Sequence, residues 1–181
     1  LSLRRTVAQL NFYDFISVAE LPNDRVNGGN AELVPQRTWE IRATVDRPIL
    51  GDGLIKLDAG IDRISMLQDI ILTEEGFSAP GNIGTGKRRF VSMDVDAPLQ
   101  RFGLTGTRLK LSGQLQQTRV HDPISDEVRN FSDFYPDWEW QAELRRDAGD
   151  FSYGMTISDR DRFSFFRSNE IDVNWNARMI G

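Results

Sequence analysis

The chain contains no cysteine. Disulfide frameworks, thiolate metal sites and cysteine nucleophiles are therefore excluded. One histidine, His121, is present, which removes multi-histidine metal centres. No run of 18 or more apolar residues occurs, so no transmembrane helix is encoded. That absence leaves transmembrane β-strands untouched, because such strands are short and only half apolar. Basic residues are scattered apart from Lys87-Arg88-Arg89, and the net charge is −5. No nucleic-acid partner is expected from that balance. Low-complexity tracts and fixed-length repeats are also missing. Leu1 is not an initiator Met, and no signal peptide follows it. The 181 residues fit one domain.

What is present is alternation. Trp39, Ile41, Ala43 and Val45 share one parity, and Glu40, Arg42, Thr44 and Asp46 the other. This is the period of a strand with one apolar and one charged face. The same pattern recurs with Ile55, Leu57, Ala59 and Ile61 against Lys56, Asp58, Gly60 and Asp62, and with Val91, Met93, Val95 and Ala97 against Phe90, Ser92, Asp94 and Asp96. It returns at Leu109, Leu111, Gly113 and Leu115, at Trp138, Trp140, Ala142 and Leu144, and at Phe151, Tyr153, Met155 and Ile157. A further strand is expected over residues 3–18, and another near Ile171, Val173 and Trp175.

The connections alternate too. Long ones run over Leu21 to Arg37, Leu67 to Arg89 and Arg119 to Asp137; short ones lie at Asp46–Gly53, around Pro98–Gly106, and at Asp147-Ala148-Gly149-Asp150. About six segments of roughly 9–13 residues, with loop length alternating in register, match an outer-membrane barrel with short turns on one side and long loops on the other. A soluble sandwich gives the same period without reason to alternate its loops. The expected fold is all-β: an antiparallel up-and-down meander forming a segment of a transmembrane β-barrel. Its apolar parity would face lipid. Glu40, Arg42, Lys56, Asp58, Asp94, Lys110, Glu139 and Glu143 would line a wet interior, where charge costs little desolvation. Trp39, Tyr135, Trp138, Trp140 and Trp175 suit interfacial girdles.

Several stretches carry a family resemblance. Asn30-Ala31-Glu32-Leu33-Val34-Pro35-Gln36 resembles the Asn-Pro-x-Leu-x-Pro-Glu segment that leads into a barrel strand in TonB-dependent outer-membrane receptors, with Ala31 and Gln36 in place of the commoner Pro and Glu. Arg37-Thr38-Trp39-Glu40, Ala79-Pro80-Gly81-Asn82-Ile83-Gly84, Ala97-Pro98-Leu99, Leu104 to Lys110 and His121-Asp122-Pro123 are similar to stretches of the same receptors. The resemblance spans about Phe15 to Ile157. It implies energy-coupled uptake of a scarce ligand (a siderophore, cobalamin, a saccharide or similar) across a bacterial outer membrane. The implied partners are outer-membrane lipid, the imported small molecule, and a TonB system acting through a plug domain. No plug or energy-coupling box is recognisable in residues 1–181. Plugged transporter barrels have about 22 strands, so the expectation is a single incomplete barrel segment from the C-terminal half. The last residues, Ala177 to Gly181, lack the final aromatic usual at such barrel ends.

Other motifs were weighed. Gly81-Asn82-Ile83-Gly84-Thr85-Gly86-Lys87 matches G-x-x-x-x-G-K, but Arg88 follows where a phosphate loop needs Ser or Thr and then a helix. Asp122, Asp126, Glu127, Asp133 and Asp137 fit no EF-hand spacing. His121, Asp122 and Ser125 are too close in sequence to imply a triad. Glu139 and Glu143 lie about 13 Å apart along one strand, too far for a shared proton. No catalytic, cofactor-binding or metal residue is expected, no ligand-binding residue can be assigned, and the chain is read as no enzyme. A soluble all-β ligand-binding module, sandwich or lipocalin-like, stays open as an alternative, as does a small outer-membrane enzyme on an eight-strand barrel.

Overall fold

The computed structural model describes residues 1–20, 25–72, 78–123, 125–132, 136–166, 171–174 and 179–180. Its strands are β1 (Ser2–Val7), β2 (Val18–Glu20), β3 (Arg25–Asn27), β4 (Arg37–Ile49), β5 (Gly53–Ser65), β6 (Gln68–Leu72), β7 (Ser78–Asn82), β8 (Thr85–Pro98), β9 (Thr107–His121), β10 (Val128–Arg129), β11 (Trp138–Ala148), β12 (Phe151–Arg160), β13 (Phe163–Phe166), β14 (Ile171–Asn174) and β15 (Met179–Ile180). Among the described residues there is no α-helix, only two 3₁₀ turns, Phe12–Phe15 and Gln100–Phe102.

One nine-stranded sheet dominates, in the order β1-β4-β5-β8-β9-β11-β12-β15, with β10 beside β9. Every pair in it is antiparallel. The six long strands, from β4 to β12, form the expected meander. The sheet does not close: β1 and β15 stand at opposite ends of its strand order.

Short turns join alternate strands. Leu50 and Gly51 take positive φ (52° and 105°) between β4 and β5. Gly149 (φ 63°) opens the two-residue turn between β11 and β12, the position that a type II′ hairpin reserves for glycine. The intervening connections are long, as alternation predicts. They are not loops throughout, however. β2 and β3 pair with each other, β6 with β7, and β3 with β7 in parallel, so two successive connections build a four-stranded sheet of their own. β8 likewise begins at Thr85, inside the region expected to be irregular.

The N-terminal expectation needs correction. β1 ends at Val7, and residues 12–15 form a 3₁₀ turn instead of continuing a strand. The Asn11 side chain accepts from the Tyr13 amide at 3.2 Å, and the Asp14 carboxylate accepts from the Asn11 amide at 3.2 Å. This reciprocal capping box gives the backbone a local alternative to the ladder. Near the other end, β14 covers Ile171–Asn174; Trp175 lies outside the described residues.

The two faces of the long strands differ sharply. Val45, Leu57, Met93, Gly113 and Trp140 stand opposite one another in one row, and Ala43, Ala59, Val91, Leu115 and Trp138 in the next. These side chains are exposed: Val45 by 61%, Val91 by 53% and Leu115 by 64%. Most buried groups of the long strands lie on the opposite parity at the long-loop end, Glu40, Asp62, Gln116 and Thr118 among them; Ala97 and Thr107, near the short turns, are buried on the apolar parity. The usual arrangement, apolar side in and polar side out, does not hold: the apolar side is open, and the polar side is covered at its loop end. The one compact apolar cluster sits at the long-loop end, where Ile64, Leu67, Ile83, Val120 and Phe131 pack together.

Candidate functional site

The polar face of the sheet and the loop structure that folds over one end of it form the candidate site. All eight residues expected on the charged wall share that face. Thr44, Asp58, Ser92, Gln114, Glu139 and Arg160 stand in one cross-strand row; Asp46, Lys56, Asp94, Ser112, Gln141 and Ser158 stand in the next. Lys110 and Glu143 are direct partners one row further on. Glu40 and Arg42 lie towards the loops.

At the loop end the wall is a connected ion network. Arg4 reaches Glu40 at 2.7 Å, and Thr6 donates to the same carboxylate at 2.8 Å. Arg42 lies 2.5 Å from Asp62 and 3.6 Å from Glu40. Arg88 reaches Asp62 at 3.4 Å and donates to Gln116 at 2.8 Å. Gln116 in turn donates to the Pro136 carbonyl at 2.9 Å, tying the wall to the β9–β11 connection. Buried carboxylates are tolerable here because each has at least two donors. The Phe90 ring lies at the centre, with the guanidinium groups of Arg42 and Arg88 each 4.6 Å from its centroid. Gly60, directly opposite, leaves room for that ring; a Cβ there would sit inside van der Waals contact with Phe90.

The middle of the wall is less committed. Two shallow hollows, about 570 Å³ and 290 Å³, share Asp94, Ser112 and Gln141. Ser92, Gln114, Glu139, Lys110 and Glu143 also line them. Hydroxyl, amide and carboxylate groups thus converge on one surface, with Leu54, Val95 and Leu111 adding apolar lining to the smaller hollow. Such a surface can hold a polar solute by hydrogen bonds. Beyond it, Arg108 bridges Asp96 at 2.5 Å and Asp52 at 3.3 Å near the short turns.

No protein-family model matches this chain, and no curated protein matches it.

The loops over the wall are tightly tied. Arg129 lies 2.9 Å from Asp69 and 2.5 Å from Asp122, all three side chains being at least nine-tenths buried. Phe131 packs over Gly86, where an added Cβ would come within 2.6 Å of the ring, and its amide donates to the Thr118 hydroxyl at 3.0 Å. The segment from Asn30 to Gln36 is docked as well. Asn82 accepts from the Val34 amide at 2.9 Å and donates to the Val34 carbonyl at 2.9 Å and the Met66 carbonyl at 2.8 Å. One side-chain amide therefore takes the place of a neighbouring strand, at a point where Pro35 offers no donor of its own. Asn30 holds the Pro80 carbonyl at 3.0 Å, and Leu33 is buried.

The remaining sequence candidates fall as follows. Gly81–Lys87 spans the end of β7, a turn at Ile83-Gly84 and the start of β8, so a strand and no helix follows it. Asp122 is engaged by Arg129, and Asp126 lies 3.1 Å from His121. Asp133 lies outside the described residues. Among the described residues no three His, Cys, Asp or Glu side chains gather as a metal site. Asp137 is held above the usual carboxylate range, first by burial and then by the nearby Asp161 charge. On the apolar face Trp39 stands in the row of Arg63 at the loop end, Trp138 two rows and Trp140 three rows further from it; Tyr135 and Trp175 lie outside the described residues. Sequence reasoning left Arg4, Asp62, Arg88, Phe90 and Gln116 without a role. The available signal was a bulky ring on the charged parity of one strand and a glycine on that of its neighbour, but pairing them needed the register.

Proposed function

We propose that this chain forms part of the barrel wall of a TonB-dependent outer-membrane receptor. It would import a scarce polar ligand (a siderophore, cobalamin, a saccharide or similar), with energy supplied by a TonB system through a plug domain outside this sequence. One observation carries the reading: each of six successive antiparallel strands exposes large apolar side chains of one parity, on one continuous face. In water such a face is an aggregation hazard; in lipid it is the required surface. A soluble ligand-binding module needs the same side chains buried, and the opposite parity carries the ions. Alternating loop length supports the membrane reading, as does the loop sheet standing at one end of the wall. The hollows rich in hydroxyl, amide and carboxylate groups support a polar ligand.

The test is insertion of the full-length chain. Reconstituted in vesicles whose acyl chains carry bromine, Trp138 and Trp140 fluorescence should be strongly quenched. A chain that is monodisperse without detergent and unquenched would refute the reading. Uptake of a ligand retained by the receptor should disappear when the TonB system is deleted.

A further inference from the structure

Most of the charge on the apolar face stands at one end, and there it has one sign. Arg5, Arg37, Arg63, Lys87, Arg89 and Arg119 all lie on it at the long-loop end, and all are exposed. Arg5, Trp39, Arg63, Lys87 and Arg119 stand directly opposite one another across five adjacent strands. Arg63 faces Lys87, and Lys87 faces Arg119, two successive like-charge pairs that by themselves destabilise a sheet. Among the described residues none of these three forms an ion pair. On the six long strands the outward parity carries a single acid, Asp159 on β12. Towards the short turns the same face has only Arg47 and Arg146.

We propose that this row seats the phosphate groups of phosphorylated lipid headgroups in the leaflet on the loop side. The argument for a lipid lies in what adjoins the cations. Ile41 and Ile61 occupy the next row together with Arg89 and Gln117, and the row after it is apolar throughout, with Ala43, Ala59, Val91 and Leu115. A ligand that meets both surfaces carries anions above and hydrocarbon below. Arg63 and Arg119 are two strand spacings apart, about 10 Å, so a headgroup with more than one phosphate is matched best. This inference rests on the membrane reading above.

The test uses the full-length chain in detergent, with retained lipid read by native mass spectrometry. The probes are phosphatidylcholine alone, phosphatidylcholine with a diphosphorylated disaccharide lipid, the same lipid dephosphorylated, and inorganic phosphate. The diphosphorylated lipid should be retained and its dephosphorylated form should not. The triple variant Arg63→Gln, Lys87→Gln, Arg119→Gln should lower retention about a hundredfold, each charge near a membrane surface being worth about fivefold. The pair Arg47→Gln, Arg146→Gln should change it less than about fivefold, as expected where no phosphate is gripped. Folding gives a second readout with opposite signs. The triple variant should be more stable than the parent in phosphatidylcholine, where repulsion is relieved, and less stable where the phosphorylated lipid is present. Equal retention of the two lipid forms, or an unchanged triple variant, overturns the proposal; so does inorganic phosphate that displaces the lipid at equal concentration. If brominated chains still quench Trp138 and Trp140, such a failure belongs to the phosphate row alone. If quenching is absent, both readings fall.

Discussion

Leu57→Arg separates a lipid-facing surface from a wetted one by the size of its effect. Leu57 is 42% exposed, between Val45 and Met93 on the neighbouring strands. Arg63 is six residues away along β5, about 20 Å of strand, while the Arg47–Ile55 pair is two residues away on the other side, about 7 Å, so Leu57 lies within the apolar band on its short-turn side. In water, adding charge to an exposed side chain changes stability by no more than about 0.5 kcal/mol. At the middle of a bilayer the same change costs about 2–4 kcal/mol, whereas near the interface it costs about 0–1 kcal/mol. Leu57 stands between those two depths, so Leu57→Arg should cost about 1–3 kcal/mol and shift the folding equilibrium by about 5- to 160-fold. Thr85→Arg, at the loop-end rim, should cost about 1 kcal/mol or less. Gln114→Arg, on the polar face, should stay within about 0.5 kcal/mol. Urea unfolding of the full-length chain in phosphatidylcholine vesicles, followed by tryptophan fluorescence, measures all three. Equal and small effects at Leu57 and Gln114 would refute the assignment of the apolar face to hydrocarbon.

Arg129→Met should cost about 3–5 kcal/mol, because it leaves Asp69 and Asp122 as buried acids without their cation; hydrogen exchange in β6 and β7 should accelerate before that of β5 and β8. Asn82→Ala should cost about 1–3 kcal/mol through orphaned backbone groups, and Asn82→Asp should restore protection of the Val34 amide while leaving the Val34 and Met66 carbonyls unpaired. Gly60→Ala should cost about 1–3 kcal/mol by pushing the Phe90 ring from between its two guanidinium groups, read as a lowered urea midpoint. Asp137 binds its proton more tightly folded than unfolded, so its contribution favours folding below the ordinary carboxylate pKa and fades as pH rises through the higher folded value. Asp137→Asn should remove that segment of the stability–pH curve, and a carbon-13 titration of the Asp137 carboxyl should place its midpoint above that of a free aspartate.

The wall was legible in the sequence and the loops were not, for one physical reason. Strands such as β4 and β9 expose one face to each of two unlike environments, so every second residue reports its side. Glu40 and Arg42 could be assigned to the charged face without knowing their partners. The strands β2, β3, β6 and β7 answer to no such boundary. β7 is Ser78-Ala79-Pro80-Gly81-Asn82, whose composition argues against a strand, yet long-range contacts with Ile71 and Asn30 hold it extended. The Asn82 clamp on Val34 joins residues 48 apart in sequence, a pairing that no local pattern encodes. Arg129 meets Asp69 across 60 residues, a pairing equally outside any local pattern.

The sheet's margins determine the order in which such a wall can be assembled. Among the described residues, β5, β8 and β9 have neighbours on both sides, whereas β12 is paired with β15 at Ile157 and Ser158, and β1 has a neighbour on one side. Each open amide or carbonyl carried into hydrocarbon costs several kcal/mol, so the central strands can enter a bilayer well before the outer ones. Growth by whole hairpins through the short turns at Gly51 and Gly149 always leaves two margins to shield. If the chain is the barrel segment proposed above, its seam with the rest of the barrel would therefore be the last part to become stable in the membrane.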